Sequence, residues 1–289
     1  MMDFGNILTA MVTPFDANGQ IDFDKTTELI EYLLDNGSEG LVVGGTTGES
    51  PVLTKDEKIA LISHTVKTVN NRVPVIAGTG SNSTQASIEL TNEAEKSGAD
   101  GIMLVVPYYN KPNQEGLYRH FAAIASETGL PVMLYNVPGR SVVNLNSETT
   151  IKLSKINNIV SVKEASGNLD QIADIIERTD DDFSVYSGED SMTLPMLSIG
   201  ADGAVSVVSH IAGLELKEMV TKFQSGDVTD AASIHRKLLP IMNRLFAQPS
   251  PVPIKTALNM KGIDVGSVRL PLVSLTDFER ENLRRLIES

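Results

Sequence analysis

Short apolar runs alternate along this chain with longer segments of helical periodicity. Eight runs stand out: ILTAMVTPF from Ile7, LVVGGTTGES from Leu41, VPVIAGTGSN from Val73, GIMLVVPYYN from Gly101, LPVMLYNVPGR from Leu130, IVSVKEASG from Ile159, FSVYSGED from Phe183 and GAVSVVSH from Gly203. Each is short and rich in Val, Ile or Leu, as strands of a parallel sheet covered on both faces should be. The segments between them read as helices. TKDEKIALISHTVKTVN opens with Thr54 and Glu57 at capping-box spacing and sets Ile59, Ile62 and Val66 on one stripe. STQASIELTNEAEKSG closes on Gly98, a C-cap residue. The phrases NGSEGLVV, SGADGIML and IGADGAVSV repeat one joint, in which a helix stops at glycine, turns and enters a strand.

Eight strand–helix units predict a closed (β/α)8 TIM barrel over residues 1–225. The rival is an open doubly wound sheet, which usually has fewer strands and often a GxGxxG loop, and no such loop occurs. Residues 226–289 lose the strand rhythm and predict a C-terminal helical segment. There VTDAASIHRKLLPIMNRLF reads as helix, AQPSPVPIK as a proline-broken link, and SLTDFERENLRRLIES as a helix capped through Thr276 and Glu279.

The length of 289 residues suits one such barrel, and an apolar content of 41% is enough for a large core. With 24 basic and 37 acidic residues the net charge is −13, which argues against nucleic acid or an anionic membrane as partner but not against a small anionic substrate. The absence of cysteine removes disulfides, thiolate chemistry and Cys-based zinc sites. The histidines at 64, 120, 210 and 235 are scattered with no HExxH spacing, and no GxSxG elbow occurs. DANGQIDFD has its Gly19 at the wrong offset for a calcium loop and reads as a turn. No metal and no cofactor is expected. No basic residue precedes Lys25 and no run approaches the roughly 20 apolar residues of a membrane span, so a soluble cytoplasmic protein is expected.

In such barrels chemistry collects at the C-terminal ends of the strands. Those ends carry Thr13, Thr46, Thr47, Glu49, Ser50, Asn82, Tyr108, Tyr109, Tyr135, Asn136, Arg140, Lys163, Ser187, Glu189, Asp190, Ser209 and His210. In VSVKE, alternation sends Val160 and Val162 outward and Ser161 and Lys163 inward. Burial lowers a lysine's pKa, and its neutral amine is a nucleophile toward carbonyls. The alternative is an ion pair, with Glu164 the obvious partner, although adjacent strand residues face opposite ways. Tyr135 shares the inward face of its strand with Met133; it is either a proton shuttle beside that amine or a core tyrosine with a satisfied hydroxyl. The backbone amides and hydroxyls of GGTTGES suit a carboxylate. Arg140, following YNVPG, suits a second carboxylate or forms a surface salt bridge.

Together GGTTGES, YYNKPNQEGLYRHF, YNVPGR and VKEASGN resemble the signatures of the Schiff-base-forming pyruvate aldolase and lyase superfamily, and within it the dihydrodipicolinate synthase family. The match runs from TAMVTPF to PVPIKTAL and RLPL. The resemblance implies that Lys163 forms a Schiff base with pyruvate and that Tyr135 exchanges protons there, in a relay with Thr46 and Tyr109. It implies that Tyr109 reaches in from a neighbouring subunit, so that a homodimer is the smallest complete enzyme and a homotetramer is open. It implies that Thr47 holds the pyruvate carboxylate, Arg140 holds that of aspartate 4-semialdehyde, and Gly188 and Val205 line the pyruvate pocket. Relatives that split sialic acids or sugar acids share the lysine and tyrosine; TTGES and the arginine after YNVPG favour the synthase. A catalytically dead barrel serving as a binding protein is the other alternative. Feedback-inhibited members bind lysine through histidines and a glutamate. The matching positions here are Lys55, Lys58 and Ala86, so lysine inhibition is expected to be weak or absent.

Overall fold

The structure, a computed structural model, describes residues 4–288. Eight parallel strands close into a barrel in sequence order: β1 (Ile7–Ala10), β2 (Gly40–Val43), β3 (Val75–Gly78), β4 (Gly101–Val105), β5 (Val132–Asn136), β6 (Ile159–Glu164), β7 (Ser184–Ser187) and β8 (Gly203–Ser206). All eight expected strands are present. Their outward side chains, such as Leu41, Leu104, Leu134 and Val162, pack under the helices, while Leu8, Val42, Ile76, Met133 and Val205 fill the interior. Being buried on both faces is why these strands read as continuous apolar runs.

The repeated joint has a physical basis. Gly37, Gly98 and Gly200 take φ of +92°, +84° and +104°, which stops each helix. The acid that follows reaches back to the strand before. Glu39 accepts from the Ile7 amide at 3.1 Å, Asp100 from Val75 at 2.8 Å and Asp202 from Val185 at 2.7 Å. Each carboxylate thus meets an amide of the first or second strand residue, at the barrel's N-terminal rim.

Three expectations are corrected. Val160 packs on the interior cluster rather than outward, because the β5–β6 register shifts between Val132 and Met133; Ser161 and Lys163 then resume the inward face as expected. The helix Lys55–Val69 has the capping box of Thr54 and Glu57, but it buries Leu61, Ile62, Thr65 and Val69. Ile59 is only half-buried, so the stripe is rotated from the expected one. The supposed proline-broken link supplies the helix Val252–Met260. Pro253 sits in its first turn, where the missing N–H has no helical partner to lose.

The C-terminal segment forms the helices Val228–Leu245, Val252–Met260 and Asp277–Ile287, the last with its Thr276–Glu279 capping box. Its Met242, Ile254 and Leu258 join the same apolar layer as the barrel helices. It also sends Lys255 into the C-terminal end of the barrel. Lys255 Nζ donates to the Thr13 carbonyl at 2.9 Å, to Glu49 Oε1 at 3.0 Å and to the Ser267 carbonyl. Arg269 pairs with Glu57 and donates its backbone N–H to Glu49 Oε2 at 2.9 Å. The loop after β2 is therefore anchored from below and from the far end of the chain. No helix among the described residues is long and apolar enough to cross a membrane.

Candidate active site

Lys163 is the next-to-last residue of β6, inside the barrel and 5% exposed. Pairing of β6 with β5 and β7 sets it level with Tyr135 on one side and Tyr186 on the other. Its Nζ lies 4.4 Å from the centroid of the Tyr135 ring. No carboxylate among the described residues is within ion-pairing distance of it. Glu164 faces the other way and is occupied by Asn136, Gln171 and Ser166, which removes the ion-pair alternative. Burial pushes the Lys163 amine from its usual 10.5 down to about 8; the carboxylate of Asp190 opposes that push and the guanidinium of Arg140 adds to it. A lysine in that range is neutral often enough at neutral pH to attack a carbonyl.

Asp190 is a strand-end candidate to which the sequence assigned no role. It follows β7 and is 2% exposed. One carboxylate oxygen accepts from the amides of Val207 and Val208 at 3.1 and 2.8 Å, while the other has no hydrogen-bond partner. Burial raises its pKa, and Ser206, the two amides and Lys163 oppose the rise. Its place after SGE gave a position at a strand end but no sign that it faces Lys163.

Tyr135 is buried, and burial raises its phenol pKa against the pull of Arg140 and a hydrogen bond with Thr46. The structure thus brings Lys163, Tyr135 and Thr46 together. Thr46 and the buried Thr47 sit on the turn after β2, where Gly44 takes φ of +69°. Thr13 Oγ1 fixes that turn by donating to the Gly48 carbonyl at 2.7 Å. Gly188 lies against the lysine: a Cβ there would fall 3.1 Å from its Cγ and Cε and 2.8 Å from Ala165 Cβ. Val205 is in the interior cluster one strand further on. Arg140 lies on the short helix Pro138–Ser141 after β5.

A cavity of about 220 Å³ is lined by Thr46, Tyr135 and Arg140 of the expected set, with Lys58 and Tyr108 among others; Lys163, Thr47, Gly188 and Val205 are not in its lining. A larger one, of about 420 Å³, lies between the helices Val252–Met260 and Asp277–Ile287 and touches none of the expected site residues. Tyr109 is not brought to the site within its own chain. It projects from the loop after β4, 90% exposed, with a φ of +73° that is unusual for a tyrosine. A second low-pKa lysine, Lys255, is also drawn down to about 8 by burial. Its three acceptors occupy its ammonium protons, so it is held as a structural cation while Lys163 is not.

A buried amine of lowered pKa beside a phenol, at the C-terminal mouth of a (β/α)8 barrel, defines an enzyme of the Schiff-base-forming lyase class. Comparison with known proteins agrees. The sequence model of the Dihydrodipicolinate synthetase family matches residues 3–289. A 4-hydroxy-tetrahydrodipicolinate synthase of Bacillus subtilis is 61% identical over 287 residues, 99% of each chain. One from Oceanobacillus iheyensis is 60% identical over 286 residues, 99% of this chain and 97% of its own. The crystal structure of a dihydrodipicolinate synthase from Bacillus anthracis superposes with a TM-score of 0.99 at 58% identity, covering 100% of this chain and 99% of that one. The chain belongs to the dihydrodipicolinate synthetase family.

Proposed function

We propose that this enzyme condenses pyruvate with L-aspartate 4-semialdehyde to give 4-hydroxy-tetrahydrodipicolinate and water, a step of the diaminopimelate route to lysine. The observation that carries the reading is Lys163, a buried amine with lowered pKa and, among the described residues, no carboxylate within ion-pairing distance, beside the Tyr135 ring. Its neutral amine attacks the pyruvate ketone, and loss of water leaves a protonated imine. That cation withdraws electrons, so a methyl proton departs and an enamine forms. The enamine carbon attacks the aldehyde, whose oxygen takes up a proton. The substrate's own amine then attacks the imine carbon and expels the lysine.

Tyr135 passes the protons at the carbinolamine and imine stages, with Thr46 as its relay partner. Thr47 and the amides of its turn hold the pyruvate carboxylate, and Gly188 and Val205 shape the space for its methyl group. Arg140 holds the carboxylate of the aldehyde substrate. Tyr109 completes the relay in a neighbouring copy, a role suited to its exposure, so the working form is a homodimer or a homotetramer of such dimers. The net charge of −13 suits a cytoplasmic enzyme of small metabolites rather than a nucleic-acid or membrane partner. Purified protein supplied with pyruvate and aspartate semialdehyde should form the heterocycle. Turnover of N-acetylneuraminate alone would instead place it with the sugar-acid lyases of the same class.

A further inference from the structure

Glu164 follows the reactive lysine in the chain and points away from it. The side chain is 1% exposed and has no cationic partner among the described residues. Its Oε1 accepts from the Ser166 amide at 2.8 Å and from Asn136 Nδ2 at 3.0 Å; its Oε2 accepts from Asn136 Nδ2 at 3.1 Å and from Gln171 Nε2 at 3.0 Å. Every one of these neighbours donates, which suits an acceptor-only carboxylate.

Asn136 is the last residue of β5 and the first before the loop that bears Arg140. Its Oδ1 accepts from the Leu145 amide at 2.9 Å, and its Nδ2 reaches Asn144 Oδ1 at 2.8 Å. Gln171 closes the same ring: Nε2 donates to the Leu145 carbonyl at 3.2 Å and Oε1 accepts from Asn144 Nδ2 at 2.7 Å. The start and the end of the 137–145 loop are therefore held by one side-chain amide. The orientation of that amide matters. Turned over, it would set its oxygen against the Glu164 carboxylate and its NH2 against the Leu145 N–H, and both contacts would be lost. An acid at position 164 forbids the turn, whereas a glutamine permits it.

We propose that Glu164 is a positioning residue for the second substrate, fixing the Asn136 amide and through it the 137–145 loop, so that Arg140 is aimed at the carboxylate of the incoming aldehyde. This rests on the role given to Arg140 above. A wrongly aimed guanidinium weakens capture and orientation of that substrate and changes the lysine chemistry with pyruvate little, because burial, the first cause of the lowered Lys163 pKa, is unaltered.

The test uses the full-length enzyme with Glu164→Gln, Arg140→Ala and the double variant, each assayed for borohydride trapping of pyruvate and for steady-state constants with both substrates. In Glu164→Gln, trapping on Lys163 and the KM for pyruvate should stay within about twofold, and the KM for aspartate semialdehyde should rise about tenfold or more. The double variant should be little worse than Arg140→Ala alone, because both remove one interaction. An equal loss of trapping, an aldehyde KM within twofold of wild type, or independent losses that multiply in the double variant would each overturn the proposal. Arg140→Ala separates the two levels: normal aldehyde kinetics in that variant would remove the parent role of Arg140 itself. Should Glu164→Gln fail to fold, Gln171→Met removes one donor and the tie to Asn144, and the same selective rise in aldehyde KM is expected.

Discussion

Replacing Lys163 with Met tests the burial argument without measuring turnover. The amine is held at about 8 in the folded chain against 10.5 in water. At about 1.4 kcal/mol per pH unit, that gap is worth about 3 kcal/mol. The sign follows from linkage. The folded state resists protonating this lysine, so below about pH 8 the wild type bears the whole penalty. Between about 8 and 10.5 the penalty fades as the unfolded lysine loses its proton too. Lys163→Met never bears it. The variant should therefore be more stable than wild type by about 3 kcal/mol more at pH 7 than at pH 10.5, on top of a packing difference that pH does not change. The measurement is guanidinium unfolding of both proteins at matched concentration across pH 7 to 10.5. Lys255, also drawn down to about 8, titrates in both proteins and cancels in the comparison. A difference in stability that stays flat with pH would show that the Lys163 amine is not desolvated, and the reasoning would fail.

Tyr135→Phe keeps the ring beside Lys163 and removes the hydroxyl; kcat should fall about 100- to 10,000-fold, and a near-normal kcat would exclude the proton-transfer role. Gly188→Ala adds a methyl 3.1 Å from two carbons of the lysine stem. Borohydride trapping with pyruvate should slow at least tenfold while circular dichroism is unchanged, and normal trapping would show that the stem has room to spare. Glu49→Gln leaves Lys255 buried without its charge partner, which should cost about 3–5 kcal/mol and be seen as a lower calorimetric Tm; a variant as stable as wild type would refute the anchor. Lysine should inhibit weakly or not at all, because the half-buried Lys58 lining the pocket repels its ammonium groups and Ala86 offers no carboxylate; Lys55 lies outside the lining and is paired with Glu89 at 3.3 Å. A low-micromolar inhibition constant in a standard assay would contradict this.

Much of this architecture is local information. The strands are legible because burial on both faces writes itself as unbroken apolar runs, and the αβ joints because Gly at positive φ and an acid at fixed offset recur. Lys163 and Tyr135 are legible because period two assigns them inward on adjoining strands. What escaped is information that depends on distant residues. The inward turn of Val160 comes from a register shift against β5, which no residue of β6 announces. The pairing of Lys255 with Glu49 joins positions 206 apart in the chain. Asp190 was seen as a polar strand end, but its lone oxygen and its nearness to Lys163 depend on how the loop after β7 packs against β8. Glu164 was considered only as a partner for its neighbour, and its actual partners come from β5 and the helix Leu169–Arg178.

The most direct measurement is reduction of the enzyme with borohydride in the presence of pyruvate, followed by peptide mass spectrometry. Both buried lysines have a pKa lowered to about 8, and what separates them is that three acceptors hold the Lys255 ammonium while the amine at 163 has no such set. A single pyruvate-derived adduct on the peptide carrying Lys163 is the predicted result. An unmodified chain, or an adduct on Lys255 with Lys163 intact, would contradict it.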